Sequence, residues 1–133
     1  AELWEIAESS SLSERRAAGE AGEQLALEYL ERRGLRLLAR NVRARGGEID
    51  LVMLDGLTLV FVEVRSRSAR GLVGALESVT AAKQQRVLTA ARAYLGRHPQ
   101  HAARPCRFDV VGITRDGDQT TLEWAPNAFE VSA

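Results

Sequence analysis

The sequence predicts an α/β fold, a mixed sheet with a helix on each face, and three observations carry the prediction. The periodic segments run helix, three strands, helix, two strands. The strand over Leu59–Arg65 is apolar on both faces, with Leu59 and Phe61 on one and Val60, Val62 and Val64 on the other, so it needs cover on both sides. Two runs rich in Val, Leu, Ile and Phe flank Asp55-Gly56, a strong hairpin signal. At 133 residues the chain supports one domain, expected over residues 13–133 behind an N-terminal arm of residues 1–12.

The elements follow in order. In the arm, Trp4 and Ile6 could dock on this domain or on a second copy. Ser13 is the expected N-cap of a helix over Glu14–Arg33, with Gly34 as its stop. Its inner stripe holds Leu27 and Leu30 beside Leu25, Ala26 and Tyr29. Traced back at helical spacing, that stripe reaches Glu23 and Glu20 at the edge of the buried face. Leu35–Asn41 reads as a strand near an edge, and Val42–Gly47 as a basic loop. The hairpin follows. Residues 66–79 read as a loop, with Gly71 and Gly74 as points of freedom.

Thr80 caps a second helix over Ala81–Leu95, whose stripe is Gln84, Val87, Leu88, Ala91 and Leu95. Arg97–Arg104 is a loop. Its His98 and His101 are loop residues rather than metal ligands, because Pro99 blocks a regular helix there. Cys106–Ile113 and Gln119–Trp124 are strands joined by a turn at Arg115–Asp118, and Phe129 is expected to pack on the sheet. Asp109, a further acid inside a strand, suits either an ion pair or support of a site nearby.

Composition narrows the function. Eighteen basic residues balance 18 acidic ones, so no net field draws the whole chain to nucleic acid. Charge is nevertheless uneven: residues 1–31 carry eight Glu and two Arg, whereas residues 40–70 carry six Arg and four acids. Lys83 is the sole lysine. The single Cys106 excludes an internal disulfide and a cysteine-rich zinc site, and fits a reducing, cytoplasmic setting. No apolar run approaches the roughly 18 residues of a membrane span, and no signal peptide is evident, although the chain lacks an initiator Met.

The candidate chemistry lies in the acids inside the hairpin strands, Glu48, Asp50 and Glu63. Buried carboxylates are costly unless paired or bound to a metal. An even hairpin loop puts Asp50 on the face of Glu63 and Arg65: a four-residue loop sets Asp50 opposite Glu63, and a two-residue loop sets it diagonally. If Glu23 joins them, three carboxylates repel one another, and a divalent cation relieves that. Oxygen-only ligands suit Mg²⁺ or Mn²⁺. Such a metal activates water and polarises phosphoryl oxygen, so the implied reaction is phosphodiester hydrolysis. Arg65 could hold the scissile phosphate but not act as a base. Gln84 could orient water or backbone. Arg43, Arg45, Arg67 and Lys83 are candidate nucleic-acid contacts, against the plainer reading of solvated surface charge.

This pattern, Asp50 followed past a hairpin by Glu63-Val64-Arg65, is similar to the PD-(D/E)XK or restriction endonuclease-like superfamily. The likeness extends along most of the chain. GEAGEQLALEYLERRG (19–34), GGEIDLV (46–52), VFVEVRSR (60–67), AAKQQRVLTAARAYL (81–95), RFDVVGI (107–113) and NAF (127–129) resemble the YraN family of uncharacterised bacterial proteins, itself similar to archaeal Holliday-junction resolvases.

The resemblance implies a three-layer α-β-α fold with core order α-β-β-β-α-β-β. It implies a metal-dependent nuclease acting on DNA, possibly on branched or recombination intermediates. Glu23, Asp50 and Glu63 then match the metal carboxylates, Arg65 stands where the catalytic lysine usually stands, and Gln84 falls near a polar position at the start of the second helix. By analogy with resolvases, which make two cuts, it also implies a homodimer. The alternative is a nucleic-acid-binding module on a nuclease fold with weak or lost catalysis.

Overall fold

Five strands form one mixed sheet in the computed structural model, which describes residues 17, 19–67 and 71–130. The expected N-terminal arm and the Ser13 cap lie outside the described residues. Helix α1 spans residues 19–32. Strands β1 (Arg36–Ala44), β2 (Gly47–Asp55) and β3 (Thr58–Arg67) follow, then helices α2 (Gly71–Ser78) and α3 (Ala81–Arg97), a 3₁₀ turn (Pro99–His101), β4 (Cys106–Asp116) and β5 (Gln119–Phe129). The strands lie side by side in the order β1-β2-β3-β4-β5. Only β3 and β4 are parallel; the other neighbours are antiparallel. The parallel pair is the one joined through helices, as a crossover requires. Among the described residues no helix is long and apolar enough to cross a membrane.

Side-chain alternation on β3 divides the core. Val60 and Val62 join Leu51, Met53, Val111 and Ile113 beneath Ala26, Leu27 and Leu30 of α1. Leu59 and Phe61 join Val52 and Leu54 beneath Val87, Ala90, Ala91 and Tyr94 of α3. On that same face α2 seats Ala75 and Val79 against Val110. β3 is thus covered on both sides, as its two apolar faces demand. Fully burying a side chain such as Phe61 contributes about 1.5–3 kcal/mol relative to leaving it in water.

Several boundaries differ from expectation. Val42–Gly47 is not a loop: β1 continues to Ala44, and only Arg45-Gly46 turn before Ala44 pairs with Gly47. β1 is an edge strand with one side open to water, so its polar residues need no apolar alternation. Residues 66–79 are not a loop either, because β3 runs to Arg67 and 71–78 are helical. The core order is therefore α-β-β-β-α-α-β-β. Two glycines weaken the intrinsic helix propensity of GLVGALES, but packing on β4 overrides it. Leu25 lies on the outer side of α1 rather than the inner stripe. Ala90 and Tyr94 join Val87 and Ala91 as the buried face of α3, with Leu95 half-buried against the same cluster and Leu88 half-buried outside it.

Asp55 pairs with Thr58 around Gly56-Leu57, which selects the register that runs to Leu51↔Val62, one residue short of Asp50 and Glu63. β4 and β5 both extend beyond expectation, and Phe129 belongs to β5, stacked on Phe108 at 5.2 Å. Asp109 takes the ion-pair role. It is fully buried, held by Arg107 and by the Trp124 indole and Asn127 backbone N–H groups, each at 2.9 Å.

Candidate active site at the end of the central hairpin

The β2–β3 ladder is regular from Asp55↔Thr58 to Leu51↔Val62. Past that point β2 turns about its axis. Ile49 and Val52, three residues apart, both enter the cluster under α3, which strict alternation forbids. Asp50 at this twist directs its carboxylate at β3, where Oδ2 accepts the Val64 backbone N–H at 2.8 Å. Glu63 is the neighbouring acid, 2% exposed. The two carboxyl groups are therefore neighbours, close enough for each to act on the other's ionisation.

Burial, then the charge of Asp50, pushes the Glu63 carboxyl up to about 8. Burial also raises Asp50, opposed chiefly by its bond from Val64. Oε2 of Glu63 is buried with no donor facing it. Two ionised carboxylates cannot donate to each other, so a proton or a cation must lie with them.

Both helical layers contribute to the pair's surroundings. α1 brings Glu23, whose carboxyl is raised by partial burial and then by Asp50. A Cβ on Gly22 would sit 2.9 Å from Ser66 Oγ, so the lack of a side chain lets this turn of α1 close on the sheet. Asn41 is in the left-handed region at φ 49°, and with its amide assigned so that the nitrogen faces Glu23 it donates to Oε1 at 3.1 Å and Oε2 at 3.2 Å. Gly19, Glu20, Glu23, Asn41 and Arg43 line an open cleft of about 530 Å³.

From the other face, α3 starts at Thr80, whose hydroxyl accepts the Lys83 backbone N–H at 3.3 Å. Lys83 reaches down so that Nζ lies 3.4 Å from Oε1 of both Glu48 and Glu63. Gly47 permits this approach, because a Cβ there would overlap the Arg86 carbonyl oxygen and crowd the Ala90 nitrogen.

Not every expected residue converges. Among the described residues no three His, Cys, Asp or Glu side chains are placed to hold one ion together, so Glu23 is a neighbour of the Asp50–Glu63 pair rather than a third ligand in this arrangement. Arg65 Nη1 is 3.7 Å from Glu63, but its Nε donates to Ser78 Oγ on α2 at 2.9 Å. The Gln84 amide donates to the Val79 carbonyl at 3.1 Å and ties α3 to the end of α2. Arg43 and Arg45 are exposed on β1 and its turn. Arg67 ends β3, and only its backbone is described. Asn41 was not expected in this site, Glu48 was singled out as an acid inside the hairpin but given no role, and Lys83 was expected only as a nucleic-acid contact. Their one sequence signal was position: Glu48 two residues before Asp50, and Lys83 in the first turn behind a cap.

The donor set fits a hard divalent ion: two adjoining carboxylates, one with an orphaned buried oxygen, and no sulfur or imidazole. Fold and site together define an α/β protein with an acidic pair where the central strands of a helix-covered mixed sheet part. Residues 22–113 match the uncharacterised protein family UPF0102. A UPF0102 protein of Stutzerimonas stutzeri is 53% identical over 119 residues, 90% of this chain and 99% of that one. Relatives from Pseudomonas entomophila (54% over 114 residues; 85% and 93% covered) and Pseudomonas aeruginosa (50% over 117 residues; 86% and 94% covered) carry the same family name. The chain belongs to the UPF0102 family, the YraN family whose motifs it shares.

Proposed function

We propose that this chain is a divalent-metal-dependent nuclease of the restriction endonuclease-like class, hydrolysing phosphodiester bonds in cytoplasmic DNA, with branched or recombining duplexes as its substrates. The observation that carries the reading is the meeting of Asp50 and Glu63, with Glu63 Oε2 buried and unpartnered. Asp50 and Glu63 would hold Mg²⁺ or Mn²⁺. When bound, such an ion supplies a water of lowered pKa and polarises a phosphoryl oxygen.

The chain's own residues do the rest. The Val64 N–H fixes the Asp50 carboxylate. Glu23, held by Asn41, accepts hydrogen bonds from water at the pair. Arg65 and Lys83 are the two cations beside Glu63, at 3.7 Å and 3.4 Å, and positive charge there balances charge on the phosphate. Arg43 and Arg45 neutralise flanking phosphates, and their contribution weakens as salt rises.

Purified protein with Mn²⁺ or Mg²⁺ is expected to nick four-way junction or linear DNA. Asp50→Asn and Glu63→Gln are each expected to abolish nicking; activity that survives both changes overturns the assignment. A second reading, a module that binds DNA without cutting it, is favoured by the cations already paired with Glu63. It expects salt-sensitive binding and no cleavage with any metal. Cleavage gained on Arg65→Lys would show that the site is otherwise competent.

A further inference from the structure

Two cations adjoin Glu63, and they are held differently. Arg65 Nε is engaged by Ser78 Oγ, and that hydroxyl in turn donates to the Ala75 carbonyl at 2.7 Å. The guanidinium thus pins β3 to α2, and its nearest approach to Glu63 is 3.7 Å. Lys83 arrives from α3, a capped helix. Its side chain is 16% exposed, and Nζ stands closer, 3.4 Å from Glu63 and from Glu48. An ammonium has three donors on a point charge. Two directions face the carboxylates, and one remains for another oxygen. Every other basic residue in the chain is an arginine, yet the one lysine occupies the gap between the acids.

We infer that Lys83, rather than Arg65, is the cation that touches the scissile phosphate beside the Asp50–Glu63 pair, and that Arg65 is a positioning residue fixing β3 against α2. This rests on the nuclease reading. Lys83 takes the phosphate oxygen on its free donor direction while Glu48 accepts from another of its N–H groups. Because the ammonium also faces Glu63, it competes with a divalent ion for that carboxylate.

Two readouts test this on the full chain. In the first, Mn²⁺ binding is measured by titration calorimetry. Lys83→Gln is expected to bind about tenfold tighter than the parent, since a positive charge next to Glu63 is gone. Lys83→Arg, with its charge kept, should stay near the parent. In the second, single-turnover cleavage of a four-way junction is measured at saturating Mn²⁺. Lys83→Gln should be slower by about 100-fold, Lys83→Arg should recover part of that, and Arg65→Gln should lose less than about tenfold while melting earlier.

Mn²⁺ affinity unchanged in Lys83→Gln, or no binding by either protein, overturns the inference. So does a tighter ion with an unchanged rate, which would make Lys83 a counter-ion only, or a greater rate loss in Arg65→Gln. Should the parent cut no DNA, the nuclease reading falls and the phosphate role of Lys83 falls with it, while the Mn²⁺ titration still decides whether Lys83 competes with an ion at Glu63.

Discussion

Replacing Glu63 by Gln is expected to stabilise the metal-free protein at alkaline pH and to leave it nearly unchanged at pH 5. Glu63 is buried, has an oxygen without a donor, and sits against Asp50. Its carboxyl is raised from 4.5 to about 8. A carboxyl raised on folding contributes its stability in full below the unfolded value. That contribution is lost as pH climbs through the folded value. The window therefore runs from pH 4.5 to about 8, and the free energy across it is on the order of 3–5 kcal/mol.

Gln keeps an acceptor for Lys83, offers N–H to Asp50, and does not ionise. Urea denaturation of both proteins in EDTA at pH 5, 7 and 9 reads the difference. The parent curve should fall with pH, while the variant keeps only the weaker slope due to Asp50 and Glu23, whose carboxyls are also raised. At pH 9 the gap corresponds to a melting difference of roughly 10–20 °C for a domain of this size. Parallel curves for the two proteins would refute the reasoning.

The remaining predictions concern the frame around the pair. Gly47→Ala should lower stability by about 1–3 kcal/mol, because the new methyl group overlaps the Arg86 carbonyl and α3 must move. It should also change Mn²⁺ affinity through displaced Lys83, as read by denaturation and calorimetry. Asp109→Ala leaves the Trp124 indole and Asn127 backbone N–H groups without their acceptor and removes one of two carboxylates on Arg107, whose pair with Asp55 at 2.8 Å remains, so it should cost about 2–4 kcal/mol in a urea titration. Because Asp109 does not adjoin the acidic pair, Mn²⁺ affinity of the folded variant should match the parent.

Legibility in the sequence followed locality. The hairpin, the Thr80 cap and the doubly apolar β3 were readable because turn chemistry, capping and alternation are written within a few residues. Asp50 and Glu63 stood out because acids inside apolar strands demand an explanation. α2 was hidden: its glycines argue against a helix, and contacts from distant strands hold it, with Ala75 and Val79 on Val110 and Ser78 on Arg65. The end of β1 was hidden because an edge strand can be polar throughout. Lys83 was hidden for a different reason. Its first-turn position is ordinary on an isolated helix and becomes meaningful only when Gly47 lets α3 settle on β2. The role of Arg65 likewise depends on Ser78, in a helix the sequence did not announce. UPF0102 membership, through the shared motifs, was legible directly.

The most direct test is a crystal of the protein soaked in Mn²⁺ at about pH 8.5 and recorded at the manganese absorption edge. The account predicts an anomalous peak between Asp50 and Glu63, about 2.1 Å from an oxygen of each, with Lys83 moved off Glu63. Manganese bound elsewhere, with no peak between these two carboxyl groups and Lys83 still 3.4 Å from Glu63, would contradict it.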